Sequence, residues 1–229
     1  MKTAIVTGAT GNMGKAVAEK FLQEGYAVIG TVNKQEPAET NTTASRYETI
    51  AVDLMNEAEA ATFVSNTIEK YKSIEAAILT VGGFAMGTIA STSTADILHQ
   101  YKLNFETAYH VARPVFLQMM KQKSGRIFLI GSKPGISAAN SKGVVAYSLG
   151  KSLIFRLAEL MNEEAKGTNV VTTVVVPSTI DTPQNRKAMP DAPFENWVKP
   201  EAIANVIYYY CTVEADVLRE PVIKVYNNA

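Results

Sequence analysis

The chain has 229 residues, 47% of them hydrophobic, enough to bury the core of one α/β domain, and we read 1–229 as a single domain. Lys plus Arg and Asp plus Glu balance at 22 each, which excludes the basic stripe of a nucleic-acid binder. One cysteine excludes an intrachain disulfide and points to a reducing, cytoplasmic setting, and no apolar run is long enough to span a membrane.

Thr3–Val6 reads as the first strand, entered directly with no charged leader of a signal peptide. It runs into Thr7-Gly-Ala-Thr-Gly-Asn-Met-Gly-Lys15, with glycines at 8, 11 and 14, and then into a helical pattern over Met13–Gln23. Glycines at a strand-to-helix turn let the backbone approach a pyrophosphate lying at the helix N-terminus. The rival reading, a triphosphate loop ending in Gly14-Lys15, fails because Ala9 and Ala16 stand where a glycine and a magnesium-binding hydroxyl belong. A glycine-rich turn that binds nothing remains open on this stretch alone.

Ala27–Val32 reads as the second strand, followed by a polar connection over Asn33–Ser45. Tyr47–Val52 is the third strand, Glu57–Tyr71 a helix and Glu75–Val81 the fourth strand. One long helix is expected over Thr94–Lys121, bent at Pro114. It carries His99 and His110 without partners at metal spacing, so no metal site is expected. Arg126–Ile130, Val170–Val176 and Val222–Val225 complete about seven strands; Tyr147–Ala165 and Pro200–Tyr210 are the remaining helices. Apolar strands alternating with helices predict a doubly wound (Rossmann) parallel sheet with helices on both faces. The proline-rich segment Pro177–Trp197 is expected to be a long binding loop. Cys211, after Tyr208–Tyr210, reads as a small buried apolar residue.

Tyr147 and Lys151 stand four apart, on one face of their helix. A phenol titrates near 10, and lowering it to about 7 takes roughly 4 kcal/mol of phenolate stabilisation. One lysine charge at about 4 Å supplies on the order of 4 kcal/mol at an effective dielectric near 20. The pair is therefore a candidate proton-transfer device, although such pairs also arise by chance. Ser132, at the end of the preceding strand, is placed to hydrogen-bond a carbonyl oxygen, with Ser137 and Ser141 as lesser candidates. Phe84, Met86, Met189 and Trp197 lie in loops expected at the cleft mouth.

These stretches together resemble the short-chain dehydrogenase/reductase family over nearly the whole chain. Tyr147-Ser-Leu-Gly-Lys151 matches its Y-x-x-x-K, and the turn containing Gly8, Thr10, Gly11, Asn12, Met13 and Gly14 resembles its cofactor turn. Val52-Asp53-Leu54 resembles the adenine-binding position, and Leu103-Asn104-Phe105 the active-site asparagine. Val176-Pro177-Ser178-Thr179-Ile180-Asp181-Thr182 resembles the segment leading to the nicotinamide carboxamide. Val81-Gly82-Gly83 stands where the family has N-A-G, Ser178 replaces a glycine, and fifteen positions separate Ser132 from Tyr147, slightly more than usual.

The resemblance implies an NAD(P)(H)-dependent oxidoreductase that reduces a carbonyl or oxidises an alcohol. Tyr147 would be acid or base, with Lys151 lowering its pKa and binding the nicotinamide ribose. Ser132 would orient the carbonyl; Asn104 would prop the helix open and hold a relay water. Pro177, Ile180 and Thr182 would serve the carboxamide. At the end of the second strand Asn33 and Lys34 stand where an NAD-selective carboxylate belongs, and no acid appears before Glu36; this favours NADP(H). The resemblance also implies a homodimer or homotetramer through the helices Thr94–Lys121 and Tyr147–Ala165. Other readings are a non-catalytic dinucleotide-binding sensor or scaffold, a dihydropteridine-reductase-like enzyme, and a nucleotide-sugar epimerase or dehydratase, which the glycine spacing favours.

Overall fold

A computed structural model describes residues 1–34 and 46–228. Seven parallel strands form one sheet in the order β3-β2-β1-β4-β5-β6-β7. They are β1 (Thr3–Thr7), β2 (Ala27–Val32), β3 (Tyr47–Ala51), β4 (Ala76–Leu79), β5 (Ser124–Ile130), β6 (Asn169–Pro177) and β7 (Val222–Val225). Strand order reverses between β1 and β4, the point where doubly wound sheets open a crevice for ligands.

The strand sequences explain two cores, because side chains alternate between faces. Ile5, Ile29 and Ile127 pack on one face with Phe63, Val111, Val115 and Ile154. Ala4, Val6, Val28 and Phe128 pack on the other with Val17, Phe21, Ile203 and Ile207. The helices that supply these residues are α1 (Asn12–Gln23), α2 (Glu57–Tyr71), α4 (Thr107–Gln122), α6 (Val145–Glu164) and α8 (Pro200–Tyr209); α3 (Thr94–Tyr101), α5 (Lys133–Ile136) and α7 (Pro183–Ala188) lie outside these clusters. Asn56 caps α2, and Ser93 with Asp96 forms a capping box that starts α3.

The helix expected over Thr94–Lys121 is not continuous. α3 and α4 are separated by a π-helical turn, Lys102–Glu106, centred on Asn104. The segment expected as one loop after Pro177 contains α7, and the loop after β5 contains α5; both are single turns started by side-chain caps, too short to show periodicity. β4 is shorter than Glu75–Val81 because Thr80 leaves the ladder to bond Thr7: its hydroxyl donates to the Thr7 carbonyl at 2.6 Å. Among the described residues no helix is long and apolar enough to cross a membrane. Cys211 is packed in apolar surroundings that push its thiol up to about 12.

Candidate active site

The switch point between β1 and β4 opens a cleft of about 640 Å³. Gly8, Thr10, Gly11, Asn12, Met13 and Gly14 line it from the first turn, Asn33, Lys34, Asp53 and Leu54 from the turns after β2 and β3. Gly82, Ile180 and Thr182 line it as well. The volume lies within the range of small-molecule and cofactor sites. Sequence reasoning missed Thr31, Val52, Thr80, Val81, Leu103 and Thr107, which also line it. Their signal is positional: four end or follow strands at the sheet's carboxyl edge, Leu103 is on the π turn beside Asn104, and Thr107 starts α4 just after it.

The first turn fits a dinucleotide backbone. A Cβ on Gly14 would stand 2.1 Å from the Gly8 carbonyl oxygen, so only glycine lets α1 begin this close to β1. α1 starts at Gly11 with no side chain capping it, leaving first-turn N–H groups for an anion. Asn12 donates to Gln184 at 2.9 Å, joining this turn to α7. Thr182 caps α7 by accepting from Asn185 N–H, and Asn185 in turn donates to the Ile180 carbonyl at 2.8 Å. Pro177 ends β6 and is buried, outside the cleft lining; it sets where the chain leaves the sheet.

Lys34 Nζ is held by Glu59 at 2.7 Å, and the same carboxylate accepts from the Asp53 N–H. Asp53 Oδ1 accepts from the Met55 N–H, which shapes the turn after β3. Residues 35–45, including Glu36, lie outside the described residues.

Asn104 comes from the π turn, Ser132 from just after β5, and Tyr147 and Lys151 from α6, and none of them lines the cleft just described. Gly82 connects the two regions: a Cβ there would stand 2.7 Å from Asn104 Oδ1 and 3.1 Å from Lys151 Nζ. The expected exchange of N-A-G for Val81-Gly82-Gly83 is thus a close approach that a side chain at position 82 would block.

Asn104 does not have its side-chain amide free for a relay water. Oδ1 accepts from the Gly83 N–H at 3.1 Å, and Nδ2 donates to the Gly83 carbonyl at 3.0 Å and to Gln100 Oε1 at 2.9 Å. Gln100 is buried at 3% exposure, a polar side chain that the sequence did not single out. Its own carbonyl abuts Gly150 of α6, the residue next to Lys151.

Ser132 caps α5 by accepting from the Gly135 N–H, and its hydroxyl lies close enough to the Tyr147 phenol to act on its titration. Ser137 and Ser141 are spent locally: Ser137 accepts from the Ala139 N–H, and Ser141 donates to the Pro134 and Ser137 carbonyls. Burial lifts Tyr147 above the ordinary phenol value, and the nearby Ser132 hydroxyl opposes this only in part. The expectation that Lys151 lowers it does not hold in this geometry. Lys151 Nζ donates to the Ile130 carbonyl at 2.8 Å and is 5% exposed. Its burial brings the ammonium down to about 8. Desolvation dominates both groups because neither is offset by a close opposite charge.

Phe84 packs edge-on against Tyr147 with ring centroids 5.2 Å apart. Trp197, expected at the cleft mouth, is instead buried and packed on Phe194. His110 shares a hydrogen bond with the Leu54 carbonyl, a packing role. Tyr208 packs edge-on against Phe21 in the core.

A crevice at the switch point of a parallel sheet, beside a glycine turn and a Tyr-x-x-x-Lys helix, defines a dinucleotide-dependent oxidoreductase. A sequence profile of the short chain dehydrogenases matches residues 2–193, and the chain belongs to that family. Its members interconvert CH–OH and C=O with a nicotinamide dinucleotide. The chain is 32% identical to the uncharacterized oxidoreductase YvrD of Bacillus subtilis over 77% of this chain and 67% of that protein. It is 26% identical to an acetoacetyl-CoA reductase of Acinetobacter over 91% of this chain and 89% of that one. Thermoplasma acidophilum aldohexose dehydrogenase shares the fold with a TM-score of 0.81 at 23% identity, over 98% of this chain and 91% of its own.

Proposed function

We propose that this protein is an NADP(H)-dependent carbonyl reductase with Tyr147 as its proton donor. The observation that carries this reading is the placement of Tyr147 on α6 one turn from Lys151, whose ammonium abuts Gly82 at the cleft edge, with burial lifting the phenol above its ordinary value. A phenol so lifted is protonated at neutral pH, the form needed to donate to a carbonyl oxygen. A reduced nicotinamide bound in the cleft supplies the hydride to the carbonyl carbon. As the π pair moves onto oxygen, that oxygen takes the Tyr147 proton. Ser132 donates to the same oxygen and orients it. Lys151, close to Gly82 at the cleft edge, can reprotonate the phenolate left behind. Asn104 fixes the Gly82-Gly83 turn against Lys151.

NADP(H) is favoured because Thr31, Val32, Asn33 and Lys34 at the end of β2 offer no carboxylate to a ribose 2′-hydroxyl. Exposed leucines on α4 and α6 (Leu117, Leu149, Leu153 and Leu160) favour a homodimer or homotetramer through these helices, measurable by sedimentation. Tyr147→Phe removes the proton and little else. It should lower kcat by about 10²–10⁴-fold while NADPH still binds. Full activity in that variant overturns the reading; binding without turnover in the wild type favours a sensor.

A further inference from the structure

The segment from Thr80 to Thr94 contains no Asp, Glu, Lys or Arg. It is pinned beside the reaction site by its backbone. The Gly87 N–H donates to the Gly143 carbonyl at 2.7 Å, and the Val145 N–H donates to the Gly87 carbonyl at 3.0 Å. This bridge attaches the segment to the start of α6, two residues before Tyr147. Its apolar side chains then have nowhere to bury. Phe84 is 65% exposed, Met86 81% and Ile89 82%, although Phe84 touches the Tyr147 ring. Exposed apolar side chains in contact with a proton donor form a wall for something that leaves water there.

Charged residues are also sparse in the stretch that this segment is bridged to. From Pro134 to Gly150 the sole charged residue is Lys142. Lys133 lies over the Tyr226 ring, 4.4 Å from its centroid. Arg186 is held by both oxygens of Asp181, at 2.6 and 2.9 Å, and stacks on Phe194. Recognition of a phosphate-bearing carrier calls for cations free to pair with it.

We propose that the substrate is an uncharged carbonyl compound whose apolar substituent lies on Phe84 and Met86, not an acyl group on a phosphate-bearing carrier. This rests on the reductase reading and specifies its substrate class. The neutral carbonyl oxygen meets Ser132 and Tyr147, and the apolar body covers the two exposed side chains.

The test compares kcat/KM with NADPH for an aryl alkyl ketone, a cyclic aliphatic ketone, a small diketone and acetoacetyl-CoA. The apolar ketones should be preferred. Phe84→Ala should lower their kcat/KM about tenfold, through KM, and change the small diketone much less. A double variant of Lys142→Ala with Lys187→Ala, the exposed lysine of α7, should leave the ketone rates in place. A preference for acetoacetyl-CoA that this double variant abolishes overturns the inference and leaves the reductase reading standing. An equal loss for every substrate in Phe84→Ala also overturns it, because Phe84 would then act only through Tyr147. Turnover of none of them, with NADPH bound, overturns both the inference and the reading beneath it.

Discussion

Asn104 and Gly83 hold each other through two hydrogen bonds, amide oxygen to N–H at 3.1 Å and amide nitrogen to carbonyl at 3.0 Å. This pairing fixes the turn after β4 to the π turn between α3 and α4. Gln100 completes it by accepting from the same Asn104 nitrogen at 2.9 Å.

Removing either partner should therefore act on activity as well as stability. Asn104→Ala strands buried polar groups and should cost about 2–4 kcal/mol, read as a fall in the denaturation midpoint. Gln100→Leu leaves the Gly83 pairing in place and should cost about 1–2 kcal/mol. If Gln100 orients Asn104, Gln100→Leu also shifts the pH profile of kcat/KM, since Gly82 abuts Lys151 Nζ. Gln100→Glu, which keeps an acceptor oxygen, should restore that profile at low pH. A Gln100→Leu variant with lowered stability and an unmoved profile assigns Gln100 a packing role alone.

Gly14 gives a sharper test of the cofactor turn. A Cβ 2.1 Å from the Gly8 carbonyl cannot be accommodated without moving β1 or α1. Gly14→Ala should cost about 1–3 kcal/mol of stability and raise the NADPH dissociation constant beyond measurable saturation in a fluorescence titration. Near-normal NADPH binding in that variant would remove this turn from the cofactor site.

The legible part of the molecule is the part written in periodic patterns or fixed spacings. The strands carry apolar residues on both faces, so β1, β2, β5 and β6 could be placed to within a residue or two at either end. Tyr147 and Lys151 share a helix face because four residues make roughly one turn. The interruption at Asn104 was illegible as a break, because Thr94–Lys121 keeps helical composition throughout and a π turn changes register without changing residue type. α5 and α7 are single turns, below the length at which periodicity exists. The proton chemistry was less legible for a different reason: spacing shows that Lys151 can approach Tyr147, but not that the Ile130 carbonyl takes its ammonium or that burial lifts the phenol. Gln100 was invisible because one polar residue in a helical stretch reads as a solvated face until its burial is known.

Lys151 is destabilising where it stands. Its folded pKa, about 8, lies below the ordinary lysine value, so between about 8 and 10.5 the unfolded chain binds the extra proton and stability rises with pH. Below about 8 the full penalty is present, on the order of 3 kcal/mol, and above about 10.5 it vanishes. Lys151→Met removes the buried charge at the expense of one hydrogen bond to Ile130, worth about 1 kcal/mol. The variant should therefore unfold at a higher temperature than wild type at pH 7, lose that advantage near pH 10, and be inactive. Lower stability of Lys151→Met at pH 7 would mean that the Ile130 bond outweighs the desolvation.

The last prediction concerns cofactor choice at Lys34 and Glu59, paired at 2.7 Å beside the cleft. The contact holds the Lys34 ammonium above and the Glu59 carboxyl below their ordinary values. Both side chains are substantially exposed, so the pair contributes little to stability. Its consequence is for binding, because a 2′-phosphate must compete with Glu59 for Lys34. Lys34→Ala should raise KM for NADPH about tenfold and leave KM for NADH nearly unchanged. Glu59→Gln releases Lys34 and removes a negative charge, and should lower KM for NADPH about two- to fivefold. If both substitutions move the NADH and NADPH constants together, Lys34 is a solvated loop charge and the preference for NADP(H) falls.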